Sequence, residues 1–180
     1  MTTSPRTSYQ ELGKMYFWTA TINGWKHLLA DDNKKEIIRQ SLIHLSERGL
    51  IDVYGYVMMP NHVHAIWKMN KLNGKEMPSG SLLKFTAHKF KKTLSEKELT
   101  EFRVVAGNKT HEFWQRDSMA IELFTPEVAW QKLDYIHNNP LAEKWSLVKD
   151  PCEYTFSSAG FYLDQASNQG FLHHLGNVIG

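Results

Sequence analysis

The sequence predicts an α+β domain of the ferredoxin-like, split βαβ kind: an antiparallel sheet with helices packed on it. Three observations carry that reading. Strand-like and helix-like apolar periods alternate in the order β-α-β-β-α-β-α. The second and third strands are separated only by Pro60-Asn61, which reads as a tightly connected hairpin. With 180 residues, 42% of them hydrophobic and six of them tryptophan, the chain can build one well-packed domain but not two comfortable ones.

Each element has a local reason. Residues 1–14 are polar and are expected to form a flexible leader before a single domain over 15–163. Met15 to Ile22 (MYFWTATI) is aromatic and β-branched, as a buried strand requires. Asn33, with Glu36 three residues on, reads as a capping box for a helix carrying Ile37, Ile38, Leu42 and Leu45, with Gly49 as its stop. Leu50 to Met59 and His62 to Met69 form the hairpin strands. From Ser81 to Leu94, Leu83, Ala87, Phe90 and Leu94 fall at helical spacing. Residues 95–112 read as a short helix plus loop, and Met119 to Phe124 as a fourth strand. Thr125-Pro126 supplies an N-cap and an N1 proline for a third helix to about Asn138, which Pro140 ends. A short element is expected around Tyr154 to Leu163, and 164–180 reads as a weakly held C-terminal tail.

Composition excludes several classes. The formal charge of +2 is near neutral, so any nucleic-acid partner must be argued from local clusters. Cys152 is the only cysteine, which removes disulfide and cysteine-cluster metal chemistry and fits a reducing, cytoplasmic setting. The opening MTTSPRTSYQELGK lacks an apolar segment, so no secretory signal is expected. No apolar run approaches the length of a membrane span.

Residues 57–67 read VMMPNHVHAIW. On a strand, His62 and His64 project to one face with Ile66 and Lys68, while Val63, Ala65 and Trp67 form the other. Two neutral imidazoles side by side suit a divalent cation, although two ligands leave it under-coordinated. The same residues also fit a turn cap and a partly buried polar histidine.

The second stretch is DYIHNNPLAEKW, residues 134–145. Tyr135 and Asn139, four apart on a helix, share a face about one turn apart. A phenol can attack phosphorus and form phosphotyrosine if its pKa is brought down from about 10. The Asn139 amide oxygen can complete a two-histidine, one-amide coordination set. Alternatively, Tyr135 is an ordinary surface position and Asn139 a helix cap before proline.

Taken together, Met-Pro-Asn-His-x-His followed by Tyr-Ile-His-x-Asn-Pro resembles the HUH single-tyrosine transposases. The branch it most resembles is that of the REP-associated tyrosine transposases (transposase IS-like). YFWTATI, LKFTAHKFKK, FWQRD at 113–117 and YTFSSAGFY at 154–162 extend the likeness over roughly residues 15–163. The resemblance implies that His62 and His64 bind metal, Mg²⁺ or Mn²⁺, and that Tyr135 on the C-terminal helix is the nucleophile. Asn139 falls where distant relatives place a glutamine ligand. Pro140 is expected to pull it from helical geometry, leaving His137 as a fallback. Phe156 stands where many relatives have tryptophan.

The implied activity is metal-assisted transesterification on hairpin-associated single-stranded DNA through a 5′-phosphotyrosine, with both a monomer and a homodimer left open. Lys84, His88, Lys91 and Lys92 form one stripe of the second helix; with Lys89 and with Arg116 beside Trp114 they are the expected DNA-binding residues. A catalytically silent hairpin-binding protein or domesticated regulator is the alternative. A two-His-motif phosphoesterase is disfavoured because only one His-x-His stretch is present.

Overall fold

Strand alternation and helix periodicity meet in a four-stranded antiparallel sheet, seen in a computed structural model that describes residues 9–163 and 169–179. The order is β1 (Met15–Thr21), α1 (Asp32–Glu47), β2 (Ile51–Met59), β3 (His62–Met69), α2 (Pro78–Thr93), α3 (Glu96–Thr100), β4 (Arg103–Ala106), β5 (Lys109–His111), β6 (Met119–Glu122), α4 (Pro126–Asn138), α5 (Ala159–Tyr162) and α6 (Gly176–Ile179). The main sheet runs β2-β3-β1-β6 with all neighbours antiparallel, which is the split βαβ topology expected. β4 and β5 form a separate hairpin.

Because successive strand residues point to opposite faces, the sheet buries two cores. One face carries Trp18, Val63, Ala65 and Trp67 against Ile38, Leu42 and Leu45 of α1 and Leu82 and Phe90 of α2. Trp18 and Trp67 stack there at 4.5 Å. The other face carries Phe17, Val57, Met59 and Ile66 against Ala129, Leu133 and Ile136 of α4. The helices therefore divide between the faces, and α4 has the histidine face of β3 to itself among the α-helices of the βαββαβ core.

Several local expectations shift. The α1 cap is Asp31, whose carboxylate accepts from Asn33 N, rather than Asn33 with Glu36; three consecutive capping residues made the choice invisible locally. α2 starts at Pro78 and buries Leu82, Thr86 and Phe90, with Leu83, Ala87 and Leu94 on its flank. Thr86 is tolerated inside because Oγ1 donates to Leu82 O at 2.8 Å and accepts from Trp114 Nε1 at 2.9 Å. The 95–112 stretch is α3, with a Ser95–Glu98 capping box, plus the β4–β5 hairpin. Asn139 keeps helical dihedrals (φ −57°, ψ −41°) despite Pro140, because a 3₁₀ turn over Asn139–Leu141 continues α4.

Described residues on either side of the 15–163 span pack against the domain. Gln10 is buried and its Oε1 accepts from Trp67 Nε1 at 3.0 Å. Phe171, Leu172 and Leu175 are buried, and His173 N donates to Val53 O. Residues 1–8, 164–168 and 180 lie outside the described residues. No helix among the described residues is long and apolar enough to cross a membrane.

Candidate active site

The site is built where β3 leaves the Pro60-Asn61 turn and passes under the end of α4. His62 and His64 point to the α4 face, their rings 4.6 Å apart, and both are buried. β1 runs beside them, pairing Thr19 with His64 and Thr21 with His62. Each imidazole is held through Nδ1. His64 Nδ1 meets Thr19 Oγ1 at 2.8 Å, and His62 Nδ1 donates to Asn61 Oδ1 at 2.6 Å. The Asn61 amide is itself anchored, its Nδ2 donating to Trp25 O at 3.3 Å. The Asn61 bond puts the His62 proton on Nδ1 and leaves Nε2 with its lone pair, as a metal ligand needs.

α4 brings Tyr135 to the same place. Thr125 caps the helix by accepting from Val128 N, and Ala129, Leu133 and Ile136 seat it on the sheet. Tyr135 stays half-exposed with its ring 5.6 Å from His64 and 6.0 Å from Phe17, edge-on to both. Asn139 follows at the helix end, buried, with an Oδ1 that has no hydrogen-bond partner among the described residues. A buried unpaired carbonyl oxygen is costly, and here it lies beside His62. His137 does not serve: it turns the other way, sharing a 2.8 Å hydrogen bond with Ser158 Oγ.

Burial pushes the His62 pKa down to about 4, with the Lys144 ammonium adding to the effect and the Asn139 side chain opposing it. His64 is held well below the usual imidazole range by burial first, then by His62, Lys132 and Lys144. Both rings are thus neutral at pH 7. Two imidazoles, each with one nitrogen engaged and one to spare, plus an orphaned amide oxygen, fit a hard-to-borderline divalent cation such as Mg²⁺ or Mn²⁺. No group of three or more His, Cys, Asp or Glu suited to a metal occurs among the described residues.

The sequence-predicted residues therefore separate into two groups. His62, His64, Tyr135 and Asn139 converge on one face of the sheet. Lys84, His88, Lys89, Lys91 and Lys92 are exposed on α2, which packs on the opposite face with α1. Lys84 is paired with Glu76 at 2.8 Å and Arg116 with Glu112 at 3.0 Å. Residues that the sequence reading passed over include Thr19, Asn61, Lys132, Lys144 and Trp145. Lys132 was visible as the i−3 neighbour of Tyr135, and Thr19 as the residue alternating with Phe17 on the histidine face.

No protein-family model matches the chain, and no curated protein does. A solved structure of a REP-associated tyrosine transposase bound to a REP hairpin does match, with a TM-score of 0.60 and 21% sequence identity, over 93% of this chain and 86% of that one. Over almost its whole length, this chain has the fold of a REP-associated tyrosine transposase.

Proposed function

We propose that the protein is a transposase-like single-strand endonuclease and ligase that cuts DNA beside a hairpin with Tyr135 as nucleophile. The single observation that carries this is the meeting of a phenol, two neutral imidazoles and an unpaired amide oxygen around one point, drawn from β3 and α4. A pure binding protein has no use for that set. The fold neighbour is bound to a REP hairpin, which makes hairpin-bearing DNA the first substrate to try.

His62, His64 and Asn139 would hold the divalent ion. When bound, the ion polarises the phosphodiester and stabilises charge that develops on its oxygens. The chain supplies the rest. Thr19 and Asn61 fix the two imidazoles, and burial keeps them unprotonated. Phe17 and His64 wall one side of the Tyr135 ring, leaving its open side for the strand. The Tyr135 oxygen attacks phosphorus, its proton passing to solvent. The bond to the 3′ oxygen breaks, leaving a 3′-hydroxyl and a 5′-phosphotyrosine. A second 3′-hydroxyl reverses the step and joins strands, so no nucleoside triphosphate is needed. Exposed Lys89, Lys91, Lys92 and His88 of α2 are suited to backbone phosphates of the hairpin, at a distance from the cut.

The experiment is a Tyr135→Phe variant incubated with hairpin oligonucleotide and Mn²⁺. The wild type is expected to give cut strand and a covalent adduct on a denaturing gel, and the variant neither. Equal cutting by the variant overturns the reading. Salt-sensitive hairpin binding without any wild-type adduct would support a catalytically silent hairpin binder.

A further inference from the structure

Two lysines bracket the histidine pair. Lys132, one helical turn before Tyr135 on α4, holds its ammonium 5.0 Å from the centre of the Phe17 ring and 5.8 Å from that of Tyr135. Phe17 in turn stacks on His64 at 5.0 Å. At the other end, the Lys144 ammonium lies 5.4 Å from the centre of the Trp145 ring, which is 6.0 Å from His62. Along β3 the sequence in space is therefore Lys132, His64, His62, Lys144.

Neither ammonium has a hydrogen bond or an ion pair among the described residues, whereas Lys14, Lys34, Lys35, Lys68, Lys84 and Lys109 all reach carboxylates. No carboxylate bonds to either histidine or to either ammonium among the described residues; the Nδ1 partners of the two rings are the neutral Thr19 hydroxyl and Asn61 amide. Lys132 is also only half-exposed, and desolvating an ammonium against aromatic rings is weakly compensated by cation–π attraction. An anion is the missing partner. Its dimension is set by the spacing: two charges, one at each end of a two-histidine platform, suit successive groups of an extended polyanion.

We propose that Lys132 and Lys144 are phosphate anchors, Lys132 for the scissile phosphate beside Tyr135 and Lys144 for the adjoining phosphate of the same single strand. This rests on the nuclease reading above and adds the path of the strand, along β3 from the Tyr135 side towards Trp145. Lys132 acts on the reacting phosphate, where it offsets charge as the phenol oxygen adds. Lys144 holds the strand in register.

The test uses Lys132→Gln, Lys144→Gln and the matching arginine variants, each also on a Tyr135→Phe background. Binding of a fluorescent hairpin oligonucleotide with a single-stranded extension is followed by anisotropy in EDTA across a salt series, and adduct formation is followed with Mn²⁺ at saturating oligonucleotide. Each glutamine change is expected to reduce the slope of log affinity against log salt by about 0.7, the value for one phosphate contact on a single strand. Lys132→Gln is further expected to slow adduct formation at saturation on the order of tenfold or more, with Lys132→Arg restoring most of it and Tm unchanged. Lys144→Gln is expected to weaken oligonucleotide binding, with Lys144→Arg restoring most of the affinity and Tm unchanged. Unaltered salt slopes in both glutamine variants, beside a normal Tyr135-dependent adduct in the wild type, overturn the anchors while leaving the nuclease reading intact. Absence of that adduct in the wild type overturns the reading itself and the anchors with it.

Discussion

Gly55 and Leu133 lie so close that β2 and α4 meet with no room for a methyl group: a β-carbon on Gly55 would stand 2.5 Å from Leu133 Cδ1 and 3.2 Å from Ile136 Cδ1. The strand is bulged at this point, its register with β3 shifting between Val53 and Gly55. Ser158 locks the same spot, accepting from Tyr56 N at 3.0 Å and meeting His137 Nε2 at 2.8 Å. The height of α4 above the sheet, and so the distance from Tyr135 to His64, is set here rather than at the site.

Gly55→Ala is therefore expected to displace the Leu133 and Ile136 side chains and, where the packed face leaves them no room to turn, α4 with them. Overpacking of this kind costs about 1–3 kcal/mol. Thermal unfolding should show that loss, and adduct formation by the folded fraction should fall further than stability does, because a shift of about 1 Å near reacting groups is costly. A variant with lowered Tm but wild-type adduct rate would show that α4 and Tyr135 tolerate displacement.

The buried histidines set an acid limit on stability. His62 and His137 are pushed down to about 4 by burial, and His64 lies well below the usual range. Unfolded, each titrates near 6.5. Between about pH 6.5 and 4 the unfolded chain binds more protons than the folded one, so stability is full above that window and declines as pH falls through it. The metal-free protein should lose on the order of 10 °C in Tm between pH 7 and pH 5. Mn²⁺ binding, in contrast, should change little between pH 7.5 and 5.5. Two imidazoles of ordinary pKa would lose about tenfold apiece over that range. Calorimetric titration at the two pH values separates these outcomes.

Much of this arrangement was legible in the sequence, for identifiable reasons. The β3 limits His62–Met69 and the α4 limits Pro126–Asn138 match the expected ones because Pro60-Asn61 and Thr125-Pro126 are local signals with one physical meaning. That His62 and His64 share a face follows from the strand period alone. What local pattern does not carry is the third dimension. The lysine stripe of α2 was legible as a stripe, but its position across the sheet from Tyr135 depends on which face each crossover helix covers. Asn139 shows the limit of a statistical rule: the residue before proline usually leaves the helical region, yet a 3₁₀ turn with Pro140 at its start absorbs the constraint. The β4–β5 hairpin had its Gly107-Asn108 turn in plain view, in a stretch too short and polar to read as strands.

Asn139 gives the sharpest metal test. Its buried Oδ1 has no well-formed hydrogen bond among the described residues and only the neighbouring His62 ring within reach, which costs the metal-free protein up to about 1–3 kcal/mol. Asn139→Ala should thus leave the metal-free Tm unchanged or raised, unusual for truncation of a buried side chain. Saturating Mn²⁺ should stabilise the wild type by mass action, about 2.7 kcal/mol at a hundred times Kd, and the variant by much less. An equal Mn²⁺-induced rise in Tm for both proteins would remove Asn139 from the coordination set.

Asn61 is expected to govern the site without touching the reacting atoms. Its Oδ1 holds the His62 proton on Nδ1, and its Nδ2 is held by the carbonyl of Trp25, a residue with left-handed φ of 57° that is 61% exposed. A bulky residue in that region is strained by about 1–3 kcal/mol, and such strain persists where surrounding contacts impose it. Asn61→Ala should free the imidazole to rotate and lower Mn²⁺ affinity by about 10–100-fold, as loss of a partner behind a metal ligand does. Asn61→Asp keeps an acceptor for Nδ1–H and should retain more of the affinity, although its carboxylate faces the Trp25 carbonyl without a donor. Trp25→Gly relieves the backbone and removes a mostly exposed ring, so its Tm should match or exceed the wild type. Equal Mn²⁺ affinity in wild type and Asn61→Ala, measured at pH 7.5, would show that Thr19, His64 and the packing of β3 alone orient His62.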